Sequence, residues 1–192
     1  MDQTRDPVKK QAEVKARCGL ESPALPQAAT LVLGLGNPLL GDDGVGWKLV
    51  AMLQDQIHDE DVEFDCLDCS GLALMERLVG YQRAILVDAV TTPNGKRGQV
   101  RCLPIDEVGD PSLGHLTSAH DTSLLSALEL ARQLGLPLPS SLLLVGIEIE
   151  PSNDCREDLS LEVGRAVPQA LEAIRGLLAG DQGTAGARLR FS

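Results

Sequence analysis

Residues 30–48, TLVLGLGNPLLGDDGVGWK, constrain the fold more than any other part of the chain. A leucine- and valine-rich run passes through a glycine-rich turn. Two aspartates then stand at the mouth of an amphipathic segment that places Val45, Leu49, Met52 and Leu53 on one helical face. A strand that turns through glycine straight into a helix is the first half of a βαβ unit, and such units build parallel sheets covered by helices on both faces. The same alternation recurs downstream. Hydrophobic periodicity predicts strands at 30–35, 62–67, 83–89, 99–105 and 141–147, and helices at 43–56, 72–79, 119–134 and 161–178. The link TTPNGKRG at 91–98 joins two strands with no helix between them, so strand 99–105 is expected to run antiparallel or lie at an edge, making the sheet mixed.

A chain of 192 residues suits one α/β domain. With 43% hydrophobic but only 2% aromatic residues, its core must come from Leu, Val, Ile and Ala. The domain is expected to span 29–180, between a mobile polar extension at 1–28 that carries Pro7, Pro23 and Pro26 and a flexible Gly/Ala-rich tail at 181–192. A net charge of −11 repels phosphate backbones, so no nucleic-acid partner is expected. No segment approaches the roughly 20 apolar residues of a membrane span, so no membrane association is expected and a cytoplasmic location is the simplest expectation. Cys18, Cys66, Cys69, Cys102 and Cys155 form an odd set without framework spacing and are read as mostly free thiols. Cys66 and Cys69 have the spacing of a redox pair or half a zinc site, but no second pair completes such a site, and incidental core thiols are favoured.

Gly34, Gly36 and Asn37 imitate a G-x-G-x-x-G dinucleotide loop, but the sixth position is Leu39. Asp42 and Asp43 would also face a pyrophosphate at the helix N-terminus, where the dipole recruits anions. The dinucleotide reading is therefore disfavoured. One aspartate is expected to cap the helix. The other then projects from the carboxyl end of a strand, where open α/β sheets hold ligands. Asp88 ends the buried run of RAILVDAV, where a charge needs neutralising; a salt bridge and a metal account for it equally well. Ser118 and Asp121 have capping-box spacing, which sets His120 in the first turn of the next helix. There the dipole favours the neutral ring that a metal requires. His58 and His115 are read as ordinary surface residues. Asp43, Asp88 and His120 together offer two oxygens and one nitrogen from three segments, a set suited to a borderline divalent ion such as nickel or zinc.

The segments LVLGLGNPLLGDDGVG (31–46), ILVDAV (85–90), SAHDTSLLSAL (118–128), LLLVGIEIEP (142–151) and LSLEVGRAVPQALEAI (159–174) resemble the maturation endopeptidases of nickel-iron hydrogenases, in order, over about residues 30–178. The resemblance implies an α/β fold: a three-layer αβα sandwich with a mixed, mostly parallel five-stranded sheet, phosphorylase/hydrolase-like. It implies an aspartic-type endopeptidase that removes the C-terminal peptide from a nickel-iron hydrogenase large-subunit precursor once nickel is in place. The implied cofactor is nickel bound in that precursor, with zinc or cadmium able to substitute in crystals. The family's ligand positions fall on Asp43, Asp88 and His120, which are also the implied catalytic residues. Asp42 is left to capping or to a supporting role, and Asp68 and Asn37 to substrate binding. Three features depart from the family pattern: LDCSGLALM (67–75) where a glycine-rich turn is common, the polar extension, and the acidic exit made by Glu148 and Glu150. Two rivals remain, a nucleotide-binding oxidoreductase domain and a non-catalytic hydrogenase assembly chaperone.

Overall fold

The structure is a computed structural model that describes residues 28–68, 71–107, 124–152 and 155–180. Five strands, β1 (Thr30–Leu35), β2 (Val62–Leu67), β3 (Arg83–Val90), β4 (Val100–Pro104) and β5 (Ser141–Glu148), form one sheet in the order β2-β1-β3-β5-β4. The β1–β2, β1–β3 and β3–β5 pairs are parallel, and β4 runs antiparallel to β5. The 91–98 link explains β4. Without a helix to carry the chain back, β4 starts at the end where β3 finishes, and it takes the free edge beyond β5.

Alternation along the strands sends side chains to two helical layers. Leu31, Leu33, Leu35, Ala84, Leu86 and Leu144 pack with Leu74 and Leu78 of α2 (Leu72–Leu78) and with Leu124 and Leu128 of α3 (Leu124–Gln133). On the opposite face Val32, Ile85, Val87, Val145 and Ile147 meet Val45, Leu49 and Leu53 of α1 (Val45–Gln54) and Val163, Ala170 and Ile174 of α4 (Leu161–Leu178). These residues are essentially inaccessible, and each large aliphatic side chain so buried contributes about 1.5–3 kcal/mol of transfer free energy. The fold is therefore the expected three-layer α/β sandwich with a mixed, mostly parallel sheet. The edge strand β2 is clamped to α2 by Arg77, which donates to Asp65 at 2.6 Å and to Glu63 at 2.5 Å, while the Tyr81 hydroxyl donates to Glu63 at 2.7 Å.

Several boundaries differ from the sequence expectation. The helix predicted at 43–56 opens as a 3-10 turn at Gly41–Gly44 and becomes α-helical only at Val45. Met52, predicted on its buried face, is 45% exposed, and Val50 is buried instead. The apolar stripe thus runs through positions 45, 49 and 53 with 46 and 50 as its flank. The start predicted for α3, with Ser118, His120 and Asp121, lies outside the described residues, as do His115, Cys18, Cys69, the tail at 181–192 and all of the N-terminal extension but Ala28, which packs in the core. Among the described residues no helix is long and apolar enough to cross a membrane.

Candidate functional site at the carboxyl edge of the sheet

Gly34 of β1 lies opposite Val87 of β3, so Leu35 and Asp88 follow at one level and the turn after β1 opens over that edge. The first turn of α1 sits directly on the strand ends because its second residue is glycine. A Cβ on Gly46 would stand 2.5 Å from the Leu35 carbonyl oxygen and closer still to that of Val87, and a Cβ on Gly34 would stand 2.7 Å from the Gly46 carbonyl oxygen. This close approach brings the 3-10 turn that carries Asp42 and Asp43 against β3. Asp43 is half-buried, and its Oδ2 accepts the Asn37 N–H at 2.7 Å. Asp88 is wholly buried at 0% exposure and, by alternation, shares the sheet face of Leu86 and Val90 that α2 and α3 cover.

Asp43 and Asp88 therefore come to one edge of the sheet. Asp68 is exposed and follows Leu67, the register partner of Leu35, so it stands at the same edge. Asn37 belongs to the opening turn, where its Oδ1 accepts the Leu39 N–H at 2.9 Å. His58 is a surface residue, as expected. The third predicted ligand, His120, lies outside the described residues, and among the described residues no group of three His, Cys, Asp or Glu side chains is placed to hold a metal ion. The end of α3 leads to a segment bonded to the start of β3, with Gly80 N–H donating to Pro137 O at 2.8 Å and Ser140 N–H to Gln82 O at 2.9 Å. The N-terminus of α3 thus points to the carboxyl edge.

The expected aspartate cap is not formed. The residue preceding α1 is Gly44, and no side chain caps either the 3-10 turn or the helix. Asp43 accepts from Asn37, and buried Asp42 accepts the Ser160 N–H through Oδ1 at 2.6 Å, with its Oδ2 3.6 Å from Arg156 Nη2. At that distance the second contact is ionic and not a hydrogen bond, which agrees with the lack of a hydrogen-bond partner on Oδ2. The amides of the turn are also engaged internally. Leu40 N–H donates to Asn37 O at 3.1 Å, Gly41 N–H to Arg156 O at 2.6 Å and Asp43 N–H to Leu40 O at 3.3 Å, besides those of Asn37 and Leu39. A pyrophosphate cradle requires such amides to face a ligand, and here carboxylates stand in their path. The turn copies the glycine spacing of a dinucleotide loop without its chemistry.

Glu148 has a role that the sequence reading missed. It is 2% exposed, accepts the Thr92 N–H at 3.0 Å and the Thr92 hydroxyl at 2.7 Å, and lies 2.6 Å from Arg101 Nε. The Nε–H is not aimed at the carboxylate, so this contact too is ionic. Glu148 anchors the 91–98 link, and Glu150 pairs with Arg97. The signal was present: an acid closing an apolar strand, the same pattern that singled out Asp88.

Burial, with Asp65's charge beside it, pushes the Cys66 thiol up to about 11, and burial also raises Cys102. A redox pair needs a thiolate at neutral pH, so Cys66 behaves as a core thiol. Cys155 is exposed. In the native protein at neutral pH, iodoacetamide is expected to label Cys155 well before half-buried Cys66 or Cys102. Peptide mass spectrometry reads this directly, and prompt labelling of Cys66 would contradict the burial argument.

The fold defines an α/β domain with a mixed, mostly parallel sheet, and Asp43, Asp68 and Asp88 stand at its carboxyl edge. A model of the hydrogenase maturation protease family matches residues 47–176. The chain is 29% identical over 150 residues to the hydrogenase 2 maturation protease of Escherichia coli K12, covering 76% of this chain and 90% of that protein. It is 30% identical over 156 residues to the hydrogenase expression/formation protein HoxM of Azotobacter vinelandii, covering 78% and 74%. Among solved structures, the hydrogenase maturating endopeptidase HybD from E. coli superposes with a TM-score of 0.64 at 28% identity, over 80% of this chain and 93% of that one. The [NiFe] hydrogenase maturation protease HybD from Thermococcus kodakarensis gives 0.55 at 25%, over 77% and 97%. The chain belongs to the hydrogenase maturation protease family and is a peptidase.

Proposed function

We propose that this peptidase removes the C-terminal peptide from the large-subunit precursor of a nickel-iron hydrogenase after nickel insertion, and that it recognises the nickel carried by that substrate. The names of its relatives support hydrogenase as the substrate class. The observation that supports the site is the close seat of Gly46, which sets the turn carrying Asp43 against the carboxyl edge near the strand that carries Asp88. In this reading Asp43 and Asp88 offer carboxylate oxygens to the substrate's nickel and His120 offers a neutral imidazole nitrogen, a donor set suited to a borderline divalent ion. The direction of α3 supports it, because His120 precedes Leu124 by four positions at a helix end that points to this edge. Asp68 and Asn37 flank the edge and are assigned to the substrate peptide. Burial holds Cys66 and Cys102 as thiols, so neither is assigned as a nucleophile in this reading.

Mass spectrometry of nickel-loaded and nickel-free precursor after incubation tests this reading. Wild-type protein is expected to shorten only the nickel-loaded form, and His120→Ala neither, with an unchanged circular dichroism spectrum. Equal cutting of the nickel-free precursor would sink the recognition role, and undiminished cutting by His120→Ala would remove that residue from it.

A further inference from the structure

The opening turn is stitched to a segment of chain 118 residues away. Arg156 N–H donates to Leu39 O at 3.0 Å and Gly41 N–H donates to Arg156 O at 2.6 Å, which makes Leu40 and Arg156 a one-residue parallel bridge. Asp42, 3% exposed, is held from the same side by the Ser160 N–H and the Arg156 guanidinium. Ser160 is in turn the N-cap of α4, its Oγ accepting the Val163 N–H at 3.5 Å. Gly41 has a φ of +60°, and a Cβ there would stand 2.5 Å from Arg156 Nε and 2.9 Å from its Cγ, so the arginine stem lies across the glycine. No side-chain cap orients the 3-10 turn from the helix side. Beside the seat of Gly46 and the Asn37 N–H on Asp43, this strap fixes the turn's orientation from the α4 side.

We infer that Arg156 is a positioning residue for the peptidase reaction: by gripping Asp42 and Gly41 it holds the 3-10 turn so that Asp43 is presented at the sheet edge. The inference rests on the reading that Asp43 engages the substrate. Asp42 and Asp43 are consecutive in one tight turn, so a displacement of the first carries the second. The Arg156 side chain is 43% exposed, and such a pair adds little to global stability. Its effect is geometric, and small displacements of a reacting group cost up to about 100-fold in rate.

The test uses the full chain with nickel-loaded large-subunit precursor. Arg156→Gln keeps the backbone bridge and most of the stem but removes the cation, and it is expected to lower kcat/KM by about 10- to 100-fold with little change in melting temperature. Arg156→Lys is expected to restore much of the loss. Adding Asp42→Asn to Arg156→Gln should cost no further activity, because the two act through one contact. Should Arg156→Gln fail to fold, Asp42→Asn is read in the same way. A wild-type rate in Arg156→Gln while Asp43→Asn is inactive, or an equal loss in the Lys and Gln variants, overturns the inference. An active Asp43→Asn overturns the functional reading beneath it.

Discussion

Asp88→Asn is expected to reduce kcat/KM for nickel-loaded precursor by about 1000-fold or more, equivalent to roughly 4 kcal/mol of transition-state stabilisation, while leaving the fold intact. The substitution preserves shape and replaces an acid at a position that is wholly buried within β3, with buried residues 84–87 before it and buried Ala89 and Val90 after it. A carboxylate in such a place carries a desolvation penalty that an amide of equal volume does not. Natural chains keep groups of this kind where function requires them, so activity and stability should part company here. The two readouts are precursor cleavage and thermal melting on the same preparation. If Asp88→Asn melts as wild type and still cleaves within tenfold of it, Asp88 is a structural charge and the proposed site loses half of its carboxylate pair.

Gly46→Ala is expected to destabilise the protein by about 3 kcal/mol, because the added methyl meets backbone on two strands, the carbonyl oxygens of Leu35 and Val87, neither of which can swing aside. For a domain of this size that is a fall in melting temperature of roughly 6–12 °C. Urea unfolding measures it. The same substitution at Gly176, where nothing stands within 4 Å of the added atom, serves as the control and should be neutral or slightly stabilising. A Gly46→Ala protein as stable as the control would show that α1 can lift from the strand ends. Asp43 would then owe its place to the Arg156 strap and the Asn37 N–H.

The elements were largely legible in the sequence because the signals that define them are local. Apolar runs punctuated by glycine, proline and polar clusters predicted β1, β2 and α4 at their observed limits, and the helix-free 91–98 link predicted the antiparallel edge strand. Asp43 and Asp88 stood out in the sequence because each interrupts or follows an apolar run, but Asp88 does not end its strand as expected: β3 continues through buried Ala89 and Val90, which pair with Ile147 and Glu148. Local statistics misled where a tertiary donor outcompeted them. Aspartate before a helix usually caps it, yet here the Asn37 and Ser160 amides take the two carboxylates and the helix begins uncapped. The buried stripe of α1 slid from Met52 to Val50 because the strands beneath it, and not its own periodicity, choose which flank is covered.

By itself, then, the order of residues determined the layers, the mixed sheet and the two acids at its carboxyl edge, since hydrophobic period and chain reversal are properties of short segments. Only the folded chain decided which partner each buried charge received. Arg156 and Ser160 reach Asp42, and Thr92 and Arg101 reach Glu148, across separations that no local pattern records. A buried carboxylate takes whatever amide or cation the packing delivers, and that delivery is settled by the whole sheet and its helices together.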